Sequence, residues 1–167
     1  MILETYQEQA ATTAVYPEQH EYSYPALGAC NEVGEFCEKL LPPRASVPEL
    51  IDELGDVMWY AAQTATDFGL SLYVCYFKAG HPNDAPDFAM LFASCRLAGR
   101  VKKILRGDDI EDKIDEITLE IGRIVRAVED IATHHLDSSL DEVCERNLDK
   151  LFDRQERGVL KGDGDTR

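Results

Sequence analysis

The sequence predicts an all-α protein with a four-helix-bundle-type core made of two helical hairpins and additional helices at its N- and C-terminal ends. Three observations predict this. Ile110, Ile114, Ile117, Ile121, Ile124, Val125, Val128 and Ile131 recur at intervals of three and four, the stripe of a long amphipathic helix. Leu50, Ile51, Leu54, Val57, Met58 and Ala61 repeat that spacing from about residue 48. No stretch shows the apolar-polar alternation of a half-buried strand.

Along the chain, a first helix is expected over roughly 3–14 and a second over 25–40, closed by Pro42-Pro43. Pro48 suits the first turn of the third, where its missing N–H costs nothing. Further helices are expected over 87–105 and 138–156. Gly80–Pro86, Gly107 and Asp137-Ser138 mark the turns between them. A length of 167 residues with 44% hydrophobic content fits one domain, 1–167.

The chain also repeats itself. Asn31-Glu32-Val33-Gly34-Glu35-Phe36 aligns with Arg96-Leu97-Ala98-Gly99-Arg100-Val101, and Glu53-Leu54-Gly55-Asp56-Val57 aligns with Glu120-Ile121-Gly122-Arg123-Ile124, at offsets of 65 and 67 residues. Each block carries a glycine within a helix, where it costs about 1 kcal/mol against alanine, and close helix approach is the simplest reason for it. The halves span about 24–76 and 88–145. The copy has lost most of its acids: Leu97, Arg100 and Arg123 stand opposite Glu32, Glu35 and Asp56, and Glu120 alone survives.

A net charge of -15 disfavours nucleic acid polymers and anionic membranes, which are bound mainly through lysine and arginine. No apolar run approaches the ~20 residues of a membrane span, and no signal pattern opens the chain, so a soluble, intracellular protein is expected. The five cysteines form no C-x-x-C pair and are expected to be reduced core residues.

Glu32 and Glu35 lie three residues apart, as do Glu53 and Asp56, so each pair projects from one face of its helix. An antiparallel hairpin would turn the two pairs toward each other around a hard cation such as Mg2+. Scattered acids on an acidic chain are usually a solvated surface. These border the apolar stripes, however, where like charges need compensation.

The stretches Tyr24–Gly28, Glu32-Val-Gly-Glu35, Glu38-Lys39 and Asp52–Tyr60 resemble the E-x-x-E and E-x-x-D signature of MazG-like all-α nucleoside triphosphate pyrophosphohydrolases. Tyr6 to Pro17, Asn147–Lys150, Asp153–Gly158 and the tail Gly162–Arg167 are similar to the ends of short, often phage-encoded members. The likeness covers roughly 3–75 and 138–167. It departs in the middle, where about 60 residues have no counterpart in short members.

The resemblance implies hydrolysis of a nucleoside triphosphate to monophosphate and pyrophosphate, with Glu32, Glu35, Glu53 and Asp56 holding Mg2+, for which Mn2+ would substitute. It implies Glu35 or Glu38 as the base that activates water, and Lys39, Asn147, Lys150 and Arg154 as contacts to substrate. A cytoplasmic location goes with it, the host cytoplasm for a phage-encoded chain. Either the second half stands in for a dimer partner, as in the related dimeric dUTPases, or the chain forms a homodimer.

Other residues carry plainer expectations. The basic cluster Arg96, Arg100, Lys102, Lys103 and Arg106 would pair with acids of the first half or meet the triphosphate from the far side. Trp59 is expected in the core and His134-His135 at a helix end. The tail after Gly158 is a frayed end or a lid. A di-iron bundle would need E-x-x-H pairs, and none is present. A catalytically degenerate nucleotide-binding or structural bundle is the alternative to the enzyme.

Overall fold

The computed structural model describes residues 3–81 and 85–160, and every regular element among them is helical. In order these are α1 (Leu3–Ala11), α2 (Ser23–Lys39), α3 (Val47–Asp67), α4 (Leu72–Ala79), α5 (Pro86–Leu105), α6 (Ile114–His135) and α7 (Leu140–Glu156), with a 3-10 turn at Glu18–His20. The turn expected at Gly80–Pro86 lies partly, and the tail Gly162–Arg167 wholly, outside the described residues.

Local chemistry sets the helix starts. Ser46 and Glu49 close a capping box ahead of α3, with Pro48 in its first turn. Ser71 and Ser139 cap α4 and α7 by accepting from the backbone N–H groups of Val74 and Glu142. Tyr22 precedes α2 at φ 63, a strained value for a residue with a Cβ. Its N–H donates to Asp67 Oδ2 at 3.0 Å, and the Tyr16 hydroxyl donates to Asp67 Oδ1 at 2.9 Å, so one carboxylate fixes the entry to α2.

Helices α2 and α3 form one hairpin and α5 and α6 the other; α2 packs on α5 and α3 on α6, which closes the expected four-helix core. Its centre is α3, with Leu50, Leu54, Val57, Met58, Ala61 and Ala62 sealed from solvent. The third helix of each half crosses over. α4 follows α3 but lies mainly on α6, and α7 follows α6 but lies mainly on α3.

Gly55 and Gly122, the paired glycines of α3 and α6, mark those crossings. A Cβ on Gly122 would stand 2.0 Å from the Cys75 carbonyl oxygen of α4, and one on Gly55 would stand 2.9 Å from the Asn147 side chain of α7. Close approach therefore explains these two glycines. It does not explain Gly34 and Gly99, which face open space within 4 Å.

Two boundaries and one element depart from the sequence reading. α1 ends at Ala11, short of residue 14, because the Thr13 hydroxyl turns back onto the Ala10 carbonyl and receives the Trp59 indole N–H at 2.9 Å. The long helix begins at Ile114, because Gly107 at φ 110 opens a turn that takes in Ile110. Helix α4 was not foreseen, since its eight residues are too short and too uniformly apolar to show a period.

Candidate functional site

The antiparallel α2–α3 hairpin turns the two acid pairs toward each other. Carboxylate oxygens of Glu32, Glu35 and Glu53 lie within 4.8 Å of one another. Glu53 is only 1% exposed, Glu32 is half-buried and Glu35 reaches solvent. Burial first, then the charges of Asp56, Glu35 and Glu53, push the Glu32 carboxyl up to about 8, against a smaller downward pull from Lys150.

Asp56 stands beside this trio and is engaged from α7. Lys150 Nζ reaches both of its oxygens at 2.6 Å, and Asn147 Nδ2 donates to Oδ1 at 3.1 Å. Asn147 is itself oriented by Tyr6, whose buried hydroxyl donates to its Oδ1 at 2.8 Å. Lys39, at the end of α2, reaches Glu53 Oε1 at 2.5 Å. Each lysine expected at the site therefore touches a carboxylate of the quartet.

Glu35, Glu38, Lys39 and Gly34 border a cleft of about 630 Å³ along α2, a size suited to a small ligand. Glu38 is exposed there. Arg154, two turns beyond Asn147 on α7, is 6% exposed.

Aromatic side chains from the loop before α2, from α2 and from α3 form a wall, with Tyr60 next to Glu32 and Asp56. Tyr16 stacks on Tyr24 with ring centroids 4.9 Å apart, and Tyr60 lies 6.0 Å from Tyr24. Tyr60 packs where Gly28 has no Cβ, since one there would fall 2.1 Å from its ring. Burial, then hydrogen bonding to Tyr24, then the negative charges of Tyr24, Glu32 and Asp56 keep the Tyr60 phenol protonated far above the usual range. Trp59 is core, as expected, while Tyr24 is exposed. The wall and the Tyr6 contact escaped the sequence reading. Its available signal was the crowding of Tyr6, Tyr16, Tyr22 and Tyr24 into the first stretch of chain.

Among the described residues, the arginines of the basic cluster pair with second-half acids and not with the first-half acids that were one of the two expectations for them. Arg96 Nε donates to Glu120 Oε1 at 2.9 Å, Arg123 donates to the same oxygen at 2.8 Å, Arg100 lies 2.6 Å from Glu116, and Arg106 pairs with Asp108. All three acids belong to the second half or its turn. Of the cysteines, Cys75 and Cys144 are buried as expected, but Cys30 and Cys37 are half-exposed and Cys95 is exposed. His134 and His135 lie in the last turn of α6, and His134 Nδ1 is 3.0 Å from the Asp130 carbonyl oxygen. No helix among the described residues is long and apolar enough to cross a membrane.

No family model and no solved structure matches the chain. A stretch of 74 residues, 42% of the chain, is 40% identical to the Gene 37 protein of Mycobacterium phage L5. The match spans 64% of that protein's length, and its name states no activity.

Proposed function

We propose that this chain hydrolyses a nucleoside triphosphate to the monophosphate and pyrophosphate with the help of Mg2+. The observation that carries this reading is the convergence of Glu32, Glu35 and Glu53 within 4.8 Å, with Glu53 buried and Glu32 pushed up to about 8. An all-oxygen donor set on two facing helices suits a hard cation, and acids that crowd each other's charge are the condition a cation relieves.

Glu32, Glu35, Glu53 and Asp56 are the residues that would hold the ion. Bound there, Mg2+ would withdraw charge from phosphate oxygens and lower the pKa of water. Lys39 and Lys150 sit on Glu53 and Asp56 and are placed to move onto phosphate oxygens when substrate arrives. Asn147, held by Tyr6, keeps an amide N–H directed at the quartet, and Arg154, two turns further along α7, remains the fourth proposed contact to substrate. Glu35 or Glu38, on the solvent side of the cleft, takes the proton from the attacking water. The exposed ring of Tyr24 beside Tyr60 offers a stacking face for the base. On this reading the second half stands in for a dimer partner, which would give one site to each chain.

A second reading has one observation in its favour. Lys39 and Lys150 already compensate Glu53 and Asp56, as they would in a degenerate nucleotide-binding or structural bundle. The deciding experiment is a panel of ribo- and deoxyribonucleoside triphosphates with Mg2+, resolving monophosphate and pyrophosphate by chromatography, for wild type and Glu53→Ala. Hydrolysis by wild type, with a loss in the variant beyond the ~100-fold typical of a supporting contact, establishes the enzyme. Nucleotide or Mg2+ binding without turnover establishes the degenerate bundle.

A further inference from the structure

Cys30 on α2 and Cys95 on α5 are counterparts in the repeat, separated by the same 65 residues that align Gly34 with Gly99. Helices α2 and α5 run antiparallel: Cys30 meets Ser94 while Cys37, further along α2, faces Asp87 near the start of α5. Two antiparallel helices related by a pseudo-twofold axis have one level at which a residue meets its own counterpart. Cys30 and Cys95 stand at that level.

Cys30 Sγ lies 3.3 Å from the backbone carbonyl oxygen of Ser94, the peptide group that leads directly into Cys95. Small side chains bring the helices this close, with Ala26 and Ala29 of α2 and Ala89 and Ala93 of α5 all buried. A disulfide sets a strict distance limit on its two Cβ atoms, and a Cys30 sulfur within hydrogen-bonding distance of the peptide group that precedes Cys95 brings the two side chains within reach of that limit. Both thiols are free, and Cys95 is exposed while Cys30 borders the cleft. A reagent can therefore reach the pair.

We propose that Cys30 and Cys95 form a two-thiol modification site that a low-molecular-weight disulfide oxidises to an intramolecular disulfide joining the two halves of the bundle. The exposed Cys95 thiolate attacks one sulfur of the small disulfide, forms a mixed disulfide and expels one thiolate. The Cys30 thiolate then attacks the Cys95 sulfur and expels the second. The two cysteine protons end on the two released thiols, and two electrons pass to the reagent. The bridge pins α2 to α5 two residues before Glu32. This inference stands apart from the hydrolase reading, because it needs neither metal nor nucleotide.

The test is to treat the full-length, reduced protein with oxidised glutathione, block remaining thiols with N-ethylmaleimide, and read intact mass and the peptides released by trypsin with a glutamate-specific protease, which cuts between Cys30 and Cys37. The expected product carries no glutathione, is two hydrogens lighter before blocking, and takes up label at three of its five cysteines. One disulfide-linked peptide should join Cys30 to Cys95. Cys95→Ser should abolish the link. Cys30→Ser should arrest the reaction as a glutathione adduct on Cys95. The proposal is overturned by a link between any other pair, by a lasting adduct on wild-type Cys95 with Cys30 still labelled, or by five labelled thiols. Should Cys30→Ser fail to fold, the wild-type peptide map with exposed-site Cys95→Ser decides the matter.

Discussion

Glu32 makes the site's chemistry measurable through stability. Its carboxyl is held up to about 8, from an ordinary 4.5, by burial and by the charges of Asp56, Glu35 and Glu53. Between those values the folded chain retains a proton that the unfolded chain releases, so this group's contribution to stability falls as pH rises through the window. Below about 4.5 both states are protonated and the penalty vanishes. In chelator, the melting temperature of wild type is expected to fall from pH 5 to 8 more steeply than that of Glu32→Gln, by scanning calorimetry. Mg2+ should stabilise wild type more at pH 8 than at pH 5, because the ion competes with that proton. Parallel profiles for the two proteins would show that the quartet is not electrostatically strained.

At the scale of elements, the glycines separate close packing from mere helix weakness. Gly122→Ala places a Cβ against the fixed Cys75 carbonyl oxygen, so it should cost about 1–3 kcal/mol by denaturant titration. Gly99→Ala meets nothing and should gain up to about 1 kcal/mol from helix propensity. Equal effects at both positions would remove close approach as the reason for Gly122. The same contrast explains what the sequence disclosed. Long periodic stripes such as Ile114 to Ile131 reveal helices because burial on one face selects every third or fourth residue. The acid pairs were legible for the same geometric reason, as same-face spacings on helices that form a hairpin. α4 was not legible, because its exposed positions Tyr73, Val74 and Phe77 are as apolar as its buried ones, which hides the period over eight residues. Nor were the partners of Arg96 and Arg100, the Tyr16–Tyr24–Tyr60 wall or the approach of Cys30 to Cys95, since each depends on which helices pack side by side.

Over the whole molecule, the two halves hold equivalent carboxylates by different means. In the first half, Glu53 is met by Lys39 from its own hairpin, while α7, crossing from the second half, brings Lys150 and Asn147 onto Asp56. In the second half, Glu120 is 3% exposed and held by Arg96 and Arg123, and its Oε2 has no hydrogen-bond partner among the described residues. Arginine is a permanent cation with a fixed fork, whereas a lysine on a flexible stem can leave its carboxylate for another ligand. The first compensation is therefore exchangeable and the second is built in. Lys150→Ala should lower the metal-free melting temperature, and Mg2+ should recover most of the loss by taking up the Asp56 charge. Arg96→Ala with Arg123→Ala should destabilise by roughly 1–3 kcal/mol, the cost of a stranded buried acid, and Mg2+ should not recover it because the second-half counterparts of Glu32 and Glu35 are Leu97 and Arg100, which add no carboxylate. Thermal melts of both variants with and without Mg2+ check the pair of outcomes. Recovery of the arginine variant by Mg2+ would mean that the second half still contains a metal site, and the assignment of one site per chain would fall.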